Sequence, residues 1–181
     1  MIRDIEDMDA ILDQFISFIR DGADEQPDYE NLNDLIDEVA AKYPGEQLRI
    51  RQKDLPRLML KRLTVKRMLS NLITNALKYG AAPVEIDTAL DDNALVLVVR
   101  DHGKGVREED IPLLLQPFSR GEKARTLSGS GLGLAIVKRI VDMHHGEIRL
   151  ANHEHGGLLV EVRFPVTGKF VQPESLSAGV R

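Results

Sequence analysis

The sequence predicts an α+β domain with two layers, in which helices pack on one face of a mixed β-sheet. Segments starting near residues 32 and 64 repeat apolar side chains at helical spacing. Residues 84–88 alternate apolar and polar side chains, as a half-buried strand does. A glycine-rich connection over residues 102–130 lacks long periodic structure. A connection of this length in a compact domain is typical of a lid or binding loop.

The composition supports a globular chain and excludes several classes. Of 181 residues, 43% are hydrophobic and 29% are charged, with 24 basic against 29 acidic residues. Because nucleic-acid binding needs a basic surface, we expect no nucleic-acid partner. The absence of cysteine excludes disulfides and thiolate metal sites. No apolar run approaches the length of a membrane span.

The first 20 residues place apolar side chains at heptad spacing, namely Ile5, Met8, Leu12, Phe15 and Ile19. The segment is either an ordinary core helix or the end of a longer helix from a bundle. Polar residues 21–30 form the clearest boundary in the chain. We assign residues 1–22 to this helix, 23–30 to a linker, 31–167 to the main domain and 168–181 to a loose tail.

Three short elements are expected next. The apolar period over residues 32–40 predicts a helix capped by Asn31 or Asn33. Residues 48–51 alternate like a strand, and residues 58–60 are predicted to be its partner.

The longest helix is predicted over residues 64–79, which carry a continuous apolar stripe and end at Gly80. Residues 84–88 alternate apolar and polar side chains, and residues 95–99 are continuously apolar, so both segments are predicted to be strands. Asp101 follows the second strand.

The rest of the domain is a loop and three further elements. A short helix is expected near residues 108–115 and a longer one over 132–144. Residues 148–150 and 158–164 are predicted to form a hairpin around Gly156-Gly157.

Four clusters of residues have side chains or backbone groups suited to ligand binding. Asn71, Asn75 and Lys78 share one helical face, and amide oxygens suit Mg²⁺. The alternative for this cluster is an ordinary solvated face. Asp101, followed by Gly103 and Gly105, ends a strand where backbone can approach a flat ligand and a carboxylate can accept from an exocyclic amine. An ordinary glycine turn is the alternative there.

The other two clusters suit a polyanion. Phe118 precedes the cations Arg120, Lys123 and Arg125 in the long loop, which is either a lid over phosphates or a solvated charge run. Residues 128–134 are a glycine-rich entry into a helix, where free N–H groups and the helix dipole favour phosphate. Their spacing fits neither a P-loop nor the dinucleotide fingerprint.

In this order, the clusters resemble the N box, first glycine box, F box and second glycine box of the ATP-binding catalytic domain of bacterial sensor histidine kinases, in the GHKL (Bergerat) superfamily. The resemblance covers residues 28–166. It is closest to EnvZ-like osmosensor kinases through residues 115–121, 124–129 and 13–16. In such proteins residues 1–20 would end the second helix of the dimerisation bundle.

The resemblance implies ATP and Mg²⁺ as ligands. Asn75 would bind the metal, Asn71 and Lys78 would complete the catalytic set at the phosphates, and Asp101 would accept the adenine amine. The implied nucleotide-binding residues are Asn71, Asn75, Ala76, Leu77, Lys78, Tyr79, Asp101, Gly103, Gly105, Arg120, Gly121, Gly129, Ser130, Gly131, Leu132, Gly133 and Leu134. His102 would alter only the rim of the base pocket.

The family's phosphoacceptor histidine is absent, because none of the five histidines stands in its sequence context. We expect structural or solvated roles for His144, His145, His153 and His155. Because His144 and His145 precede a helix-ending glycine, partly charged imidazoles there would interact favourably with the helix dipole. The predicted function is therefore transfer of the γ-phosphoryl group of ATP to a histidine on the protein's own dimerisation domain. An OmpR-like response regulator is the implied downstream partner. The implied location is the cytoplasmic side of the bacterial inner membrane, with any anchor in other segments.

Three rivals remain: a GHKL-type ATPase, a serine kinase of the anti-sigma-factor type, and a nucleotide-binding module that controls response-regulator dephosphorylation. The ATPases carry a glutamate one turn before the metal-binding asparagine, and this chain has Asn71 there. The heptad segment argues against the serine kinase.

Overall fold

A computed structural model of the chain describes residue 16, residues 24–117 and residues 132–166. The N-terminal helix and the C-terminal tail predicted from sequence therefore lie outside the described residues, except for Ile16, which is helical and exposed. The strands are β1 (Asp28–Glu30), β2 (Leu48–Arg51), β3 (Leu58–Leu60), β4 (Val84–Asp91), β5 (Ala94–Arg100), β6 (Glu147–Asn152) and β7 (Leu158–Pro165). The α-helices are α1 (Leu32–Ala40), α2 (Arg62–Tyr79) and α3 (Gly133–Met143), and short 3₁₀ helices span Gly45–Gln47 and Glu108–Leu113.

The main sheet has five strands in the order β2-β4-β5-β7-β6. The β2-β4 pair is parallel and the other three pairs are antiparallel. Alternate residues of the central strands, such as Leu95, Leu97 and Val99, are buried. They share one core with the apolar faces of α1, α2 and α3. The predicted α+β fold, with helices on one face of a mixed sheet, is confirmed.

The strand pairing near the N-terminus differs from the prediction. Strand β2 pairs with β4, whereas β3 pairs with β1 in a separate two-stranded sheet. Side chains hold the intervening segment away from β2: Asn33 Nδ2 donates to the Lys53 carbonyl, and the Lys53 amide donates to Thr88 Oγ1 at 3.3 Å. Strand β1 also occupies residues 28–30, so the predicted linker is shortened at its C-terminal end.

Helix α2 begins with a cap supplied from distant sequence. The Glu25 carboxylate accepts hydrogen bonds from the backbone amides of Leu63, at 2.6 Å, and Thr64, at 3.0 Å, and from the Thr64 hydroxyl at 2.5 Å. The side chain of the local cap residue, Lys61, does not form a capping hydrogen bond. A carboxylate at this end also interacts favourably with the helix dipole. The polar segment before β1 is thereby joined to the helix that carries the asparagine cluster.

We predict that replacing Glu25 by alanine lowers the free energy of unfolding by about 1–2 kcal/mol, the range for loss of a good N-cap. The substitution leaves the buried Thr64 hydroxyl without its acceptor. Urea denaturation measures the loss, and Asp24→Ala, at an exposed neighbour, is the control. Equal stabilities for the two variants would show that the cap does not stabilise α2.

His144 is a buried structural group, contrary to the partly charged role predicted for it. Its side chain is 8% exposed. The backbone amide of Lys61 points at Nε2 at 3.0 Å, so Nε2 must accept, and Nδ1 then donates to the Ile140 carbonyl at 2.8 Å. Burial, the largest cause, lowers the pKa of His144 below its ordinary value, and the charge of Lys61 acts in the same direction. The imidazole is therefore neutral and joins the end of α3 to the start of α2.

This burial predicts a pH-dependent stability. The unfolded imidazole binds a proton near its ordinary pKa of about 6.5, whereas the folded one does so only at lower pH. Between those values the unfolded state binds more protons, so stability falls as the pH drops from 7 toward 5. His144→Gln keeps an acceptor for the Lys61 amide but cannot titrate. We expect a shallower pH dependence of its unfolding free energy in this range.

The control for that measurement is His155→Gln, because His155 is exposed. It should retain the wild-type slope, since carboxylates and the other histidines are unchanged. Identical slopes for wild type and His144→Gln would contradict the neutral, buried state of His144.

Candidate nucleotide-binding site

The C-terminal half of α2 and the N-terminus of α3 meet at Asn75 and Gly133. A Cβ on Gly133 would lie 2.7 Å from Asn75 Nδ2 and 2.9 Å from Oδ1, closer than real Cβ contacts allow. Any larger residue at position 133 would displace the Asn75 amide, so glycine permits this close approach of helix backbone and amide. The structure thus brings together the asparagine cluster and the glycine-rich helix entry, which lie 58 positions apart in sequence.

The two asparagine side chains of this cluster lack a hydrogen-bond partner among the described residues. Asn71 and Asn75 are half-buried, and their side chains make no hydrogen bond to other residues in the described ranges. The adjoining helix start at Leu132 has no side-chain cap hydrogen bond, and the first amides of an α-helix have no partner within the helix. Amide oxygens and free backbone N–H groups together suit a metal-bound phosphate chain.

The other predicted members of the asparagine helix differ in exposure. Lys78 is exposed, with Nζ 5.4 Å from the ring centroid of Tyr79, and Tyr79 is 46% exposed. Ala76 is buried in the core, and Leu77 packs against it. Contact of these four residues with nucleotide stays a prediction.

The Asp101 carboxylate lies at the end of β5 and is held by two backbone amides. Oδ1 accepts from Gly103 N–H at 2.7 Å, and Oδ2 accepts from Leu158 N–H at 3.2 Å. The residue is only 6% exposed. Each carboxylate oxygen has two lone pairs, so both keep capacity for one further donor. The geometry presents a fixed, buried acceptor, as recognition of an exocyclic amine requires.

Three glycines enclose Asp101. A Cβ on Gly80 would overlap its carboxylate, and one on Gly157 would overlap its backbone carbonyl oxygen. A Cβ on Gly103 would lie 2.7 Å from the Gly80 Cα and 3.0 Å from Asp101 Oδ1. Sequence reasoning found Gly103 but treated Gly80 as a helix stop and Gly157 as a hairpin turn. Their contact with Asp101 has no local sequence signal, because it depends on tertiary packing.

His102 lies beside this acceptor but does not merely line a rim. Its backbone amide donates to the Ala81 carbonyl at 2.9 Å, and its Nδ1 is 2.7 Å from the Pro83 carbonyl. Its Nε2 is 3.7 Å from a Glu85 carboxylate oxygen. His102 thus fastens the Asp101 segment to the loop that follows α2.

Most of the predicted lid lies outside the described residues. The predicted residues Phe118, Arg120, Gly121, Lys123, Arg125, Gly129, Ser130 and Gly131 lie outside the described residues. Their contacts with phosphate stay predictions. Leu132, Gly133 and Leu134 are described and begin α3 as predicted, with Leu132 fully buried.

The asparagine amides beside a helix start and the enclosed carboxylate together form the candidate nucleotide-binding site. Residues 61–168 match the family model described as histidine kinase-, DNA gyrase B-, and HSP90-like ATPase, and the chain belongs to this family. The family model describes an ATPase domain, so the nucleotide is ATP.

The similar proteins are sensor histidine kinases. The chain is 41% identical over 110 residues to the signal transduction histidine-protein kinase AfsQ2 of Streptomyces coelicolor, covering 60% of this chain and 20% of AfsQ2. It is 42% identical over 108 residues to the sensor protein kinase PmrB of Pseudomonas aeruginosa, covering 58% of this chain and 23% of PmrB. The chain thus spans about a fifth of the length of these two curated relatives.

Solved structures of histidine kinases have a similar fold. The NMR structure of the histidine kinase domain of the E. coli osmosensor EnvZ has a TM-score of 0.61 at 34% identity, covering 82% of this chain and 92% of that domain. Full-length ShkA in complex with AMPPNP has a TM-score of 0.72 at 21% identity, covering 94% of this chain and 37% of ShkA, and this likeness concerns the fold alone. The predicted resemblance to sensor histidine kinases is confirmed. Within the described residues, no helix has the length and apolar character needed to cross a membrane.

Proposed function

We propose that the chain binds Mg²⁺-ATP and transfers the γ-phosphoryl group to a histidine on a dimerisation domain of the same protein. The observation that carries this proposal is the contact of Asn75 with Gly133, which sets a free amide oxygen beside the start of α3. Phosphoryl transfer depends mainly on positioning and neutralisation of charge, and this junction supplies both. Asp101 would fix the adenine at the other end of the nucleotide.

The residues present fit Mg²⁺ as a partner of the nucleotide rather than as a tightly held structural ion. No cluster of three or more His, Asp or Glu residues suited to a metal occurs in the described part of the chain. Asn75 offers one amide oxygen, and Mg²⁺ commonly takes its other ligands from phosphate and water. When bound, the ion would neutralise charge on the phosphates. Asn71 and Lys78 would support the same groups.

The protein's own groups explain the type of transfer. Asn71 stands one turn before Asn75, and its amide cannot remove a proton from water. An imidazole needs no such base, because a nitrogen lone pair attacks phosphorus directly. The P–N bond then forms as the bond to the leaving ADP oxygen breaks. This favours transfer to histidine over hydrolysis.

The proposal extends to the cellular role of the whole protein, which the similarity to sensor kinases supports. The whole protein would act as a membrane-anchored sensor kinase with this domain on the cytoplasmic side. The phosphohistidine would serve an OmpR-like response regulator. A nucleotide-binding module that controls dephosphorylation of that regulator is the second candidate, because it would use the same ATP contacts without transfer.

The binding step is tested by calorimetric titration of the chain with ATP, with and without Mg²⁺. We expect saturable binding of ATP, tighter with Mg²⁺, and weaker binding of GTP, whose base presents a carbonyl where adenine presents an amine. Asp101→Asn should reduce the preference for ATP over GTP, since the amide offers a donor as well as an acceptor. Equal affinity of the wild type for both nucleotides would contradict the role of Asp101.

A further inference from the structure

The last residue of β6, Asn152, bonds to the loop that follows the Asp101 cluster. Its Oδ1 accepts from the Val106 amide at 2.9 Å, and its Nδ2 donates to the Val106 carbonyl at 2.7 Å. Nδ2 also donates to Glu108 Oε1 at 3.0 Å. One side chain thus pairs with both backbone groups of Val106, as a neighbouring strand would.

The three partners determine the orientation of the amide. Rotating it by 180° would turn Nδ2 toward the Val106 N–H and Oδ1 toward a carbonyl and a carboxylate. Each of those contacts would be repulsive. Asparagine is therefore specifically suited to this position, because aspartate has no donor and serine is too short for all three bonds.

The loop bearing the glycines is consequently held at both ends. At the near end, Gly103 N–H donates to Asp101. At the far end, Gly105 has a φ of +71° and lies so close to Asn152 that a Cβ would overlap Oδ1. Lys104, the one residue between these two glycines, is exposed, whereas Gly103, Gly105 and Val106 are partly buried, so the loop has little freedom.

We propose that Asn152 is a positioning residue of the adenine site, which holds residues 103–106 in the conformation that receives the base. The inference rests on the proposed ATP binding and deepens it. Asn152 is half-buried beside a hairpin turn and lies outside the hydrophobic core. Its side-chain hydrogen bonds go to the loop, so its loss should alter base recognition more than overall stability.

The test compares a base-containing ligand with one that has only phosphates. Wild type and Asn152→Asp are titrated with ATP and with inorganic tripolyphosphate, both with Mg²⁺. The new carboxylate would face the Val106 carbonyl and Glu108, releasing the loop. If the competent loop conformation falls to about a tenth of the population, the Kd for ATP rises about tenfold. Tripolyphosphate affinity should stay within about twofold, since it lacks the base.

Two further variants separate positioning from folding. Asn152→Ser removes bonds without adding charge and should give the same ATP-selective loss. Adding Glu108→Gln to Asn152→Asp removes the like charge and supplies a donor to the carboxylate, so part of the ATP affinity should return. His155→Ala, an exposed substitution on the same turn, is the control for both ligands.

Each outcome decides the inference. Selective loss of ATP binding with rescue by Glu108→Gln supports it. Unchanged ATP affinity in a folded Asn152→Ser variant, or equal weakening of both ligands, overturns it. Failure of the wild type to bind either ligand would instead refute the proposed function, and this inference with it. Amide exchange at Val106 reports loop release independently of nucleotide, and it should accelerate in Asn152→Asp.

Discussion

Asn75→Ala is expected to reduce phosphotransfer by about a hundredfold or more, the loss typical when one preorganised group at a reacting centre is removed. The substitution removes the amide oxygen that α2 places against the start of α3. The fold should persist, because Asn75 is only half-buried and makes no hydrogen bond to other described residues. Transfer from γ-labelled ATP to a bundle histidine measures the effect.

A matched control is Asn93→Ala, which changes the same residue type in the exposed turn between β4 and β5. It should transfer phosphate at the wild-type rate. If Asn75→Ala retained transfer, the proposed role of Asn75 in binding Mg²⁺ would be contradicted. If transfer is lost while an effect on the response regulator persists, the regulatory module becomes the better account.

Gly157→Ala is predicted to be the most destabilising single-methyl change among the described glycines, by about 3–5 kcal/mol. Gly157 has a φ of +89°, which costs an L residue energy in any surroundings. A Cβ there would also overlap the Asp101 carbonyl oxygen, a backbone atom that cannot rotate away. The folded fraction should in addition bind ATP weakly, because relief of the overlap must displace Asp101.

Gly156→Ala separates the cost of the positive φ from the cost of the overlap with Asp101. Its φ of +88° imposes the same backbone strain, but its Cβ would meet only the Gly103 carbonyl oxygen, at 3.2 Å. We expect a loss of about 1–2 kcal/mol for that variant. Gly45→Ala, with open space around it, should cost little. Equal losses for Gly156→Ala and Gly157→Ala in urea denaturation would disprove the close packing on Asp101.

Sequence reasoning located the helices and most strands because their periods are local. The stripe on α2 and the alternation in β4 report burial directly. Strand pairing is not local, and the parallel β2-β4 pair forms only across the intervening α2. Adjacency in sequence therefore suggested the wrong partner for β2.

In the candidate site, too, features with a local sequence pattern were predicted, and features that depend on tertiary packing were not. Asn75, Asp101 and Gly133 were found because unusual residue types stood at informative spacings. Asn152 was missed, since a single asparagine at a strand end has no distinctive pattern. His144 was found but misjudged, because its neutral state depends on burial between α3 and α2. Local sequence thus identified the groups proposed to contact the ligand, whereas the groups that hold them in place became apparent only from the fold.

Transfer of phosphate to a separate histidine-bearing domain tests the central claim most directly. The chain is incubated with γ-labelled ATP and Mg²⁺, with and without a dimerisation-bundle fragment that carries the phosphoacceptor histidine. We predict acid-labile, base-stable label on the bundle fragment and none on the chain alone. Saturable ATP binding without any transfer, under conditions in which the bundle fragment accepts phosphate from another kinase domain, would contradict the assignment as a histidine kinase catalytic domain.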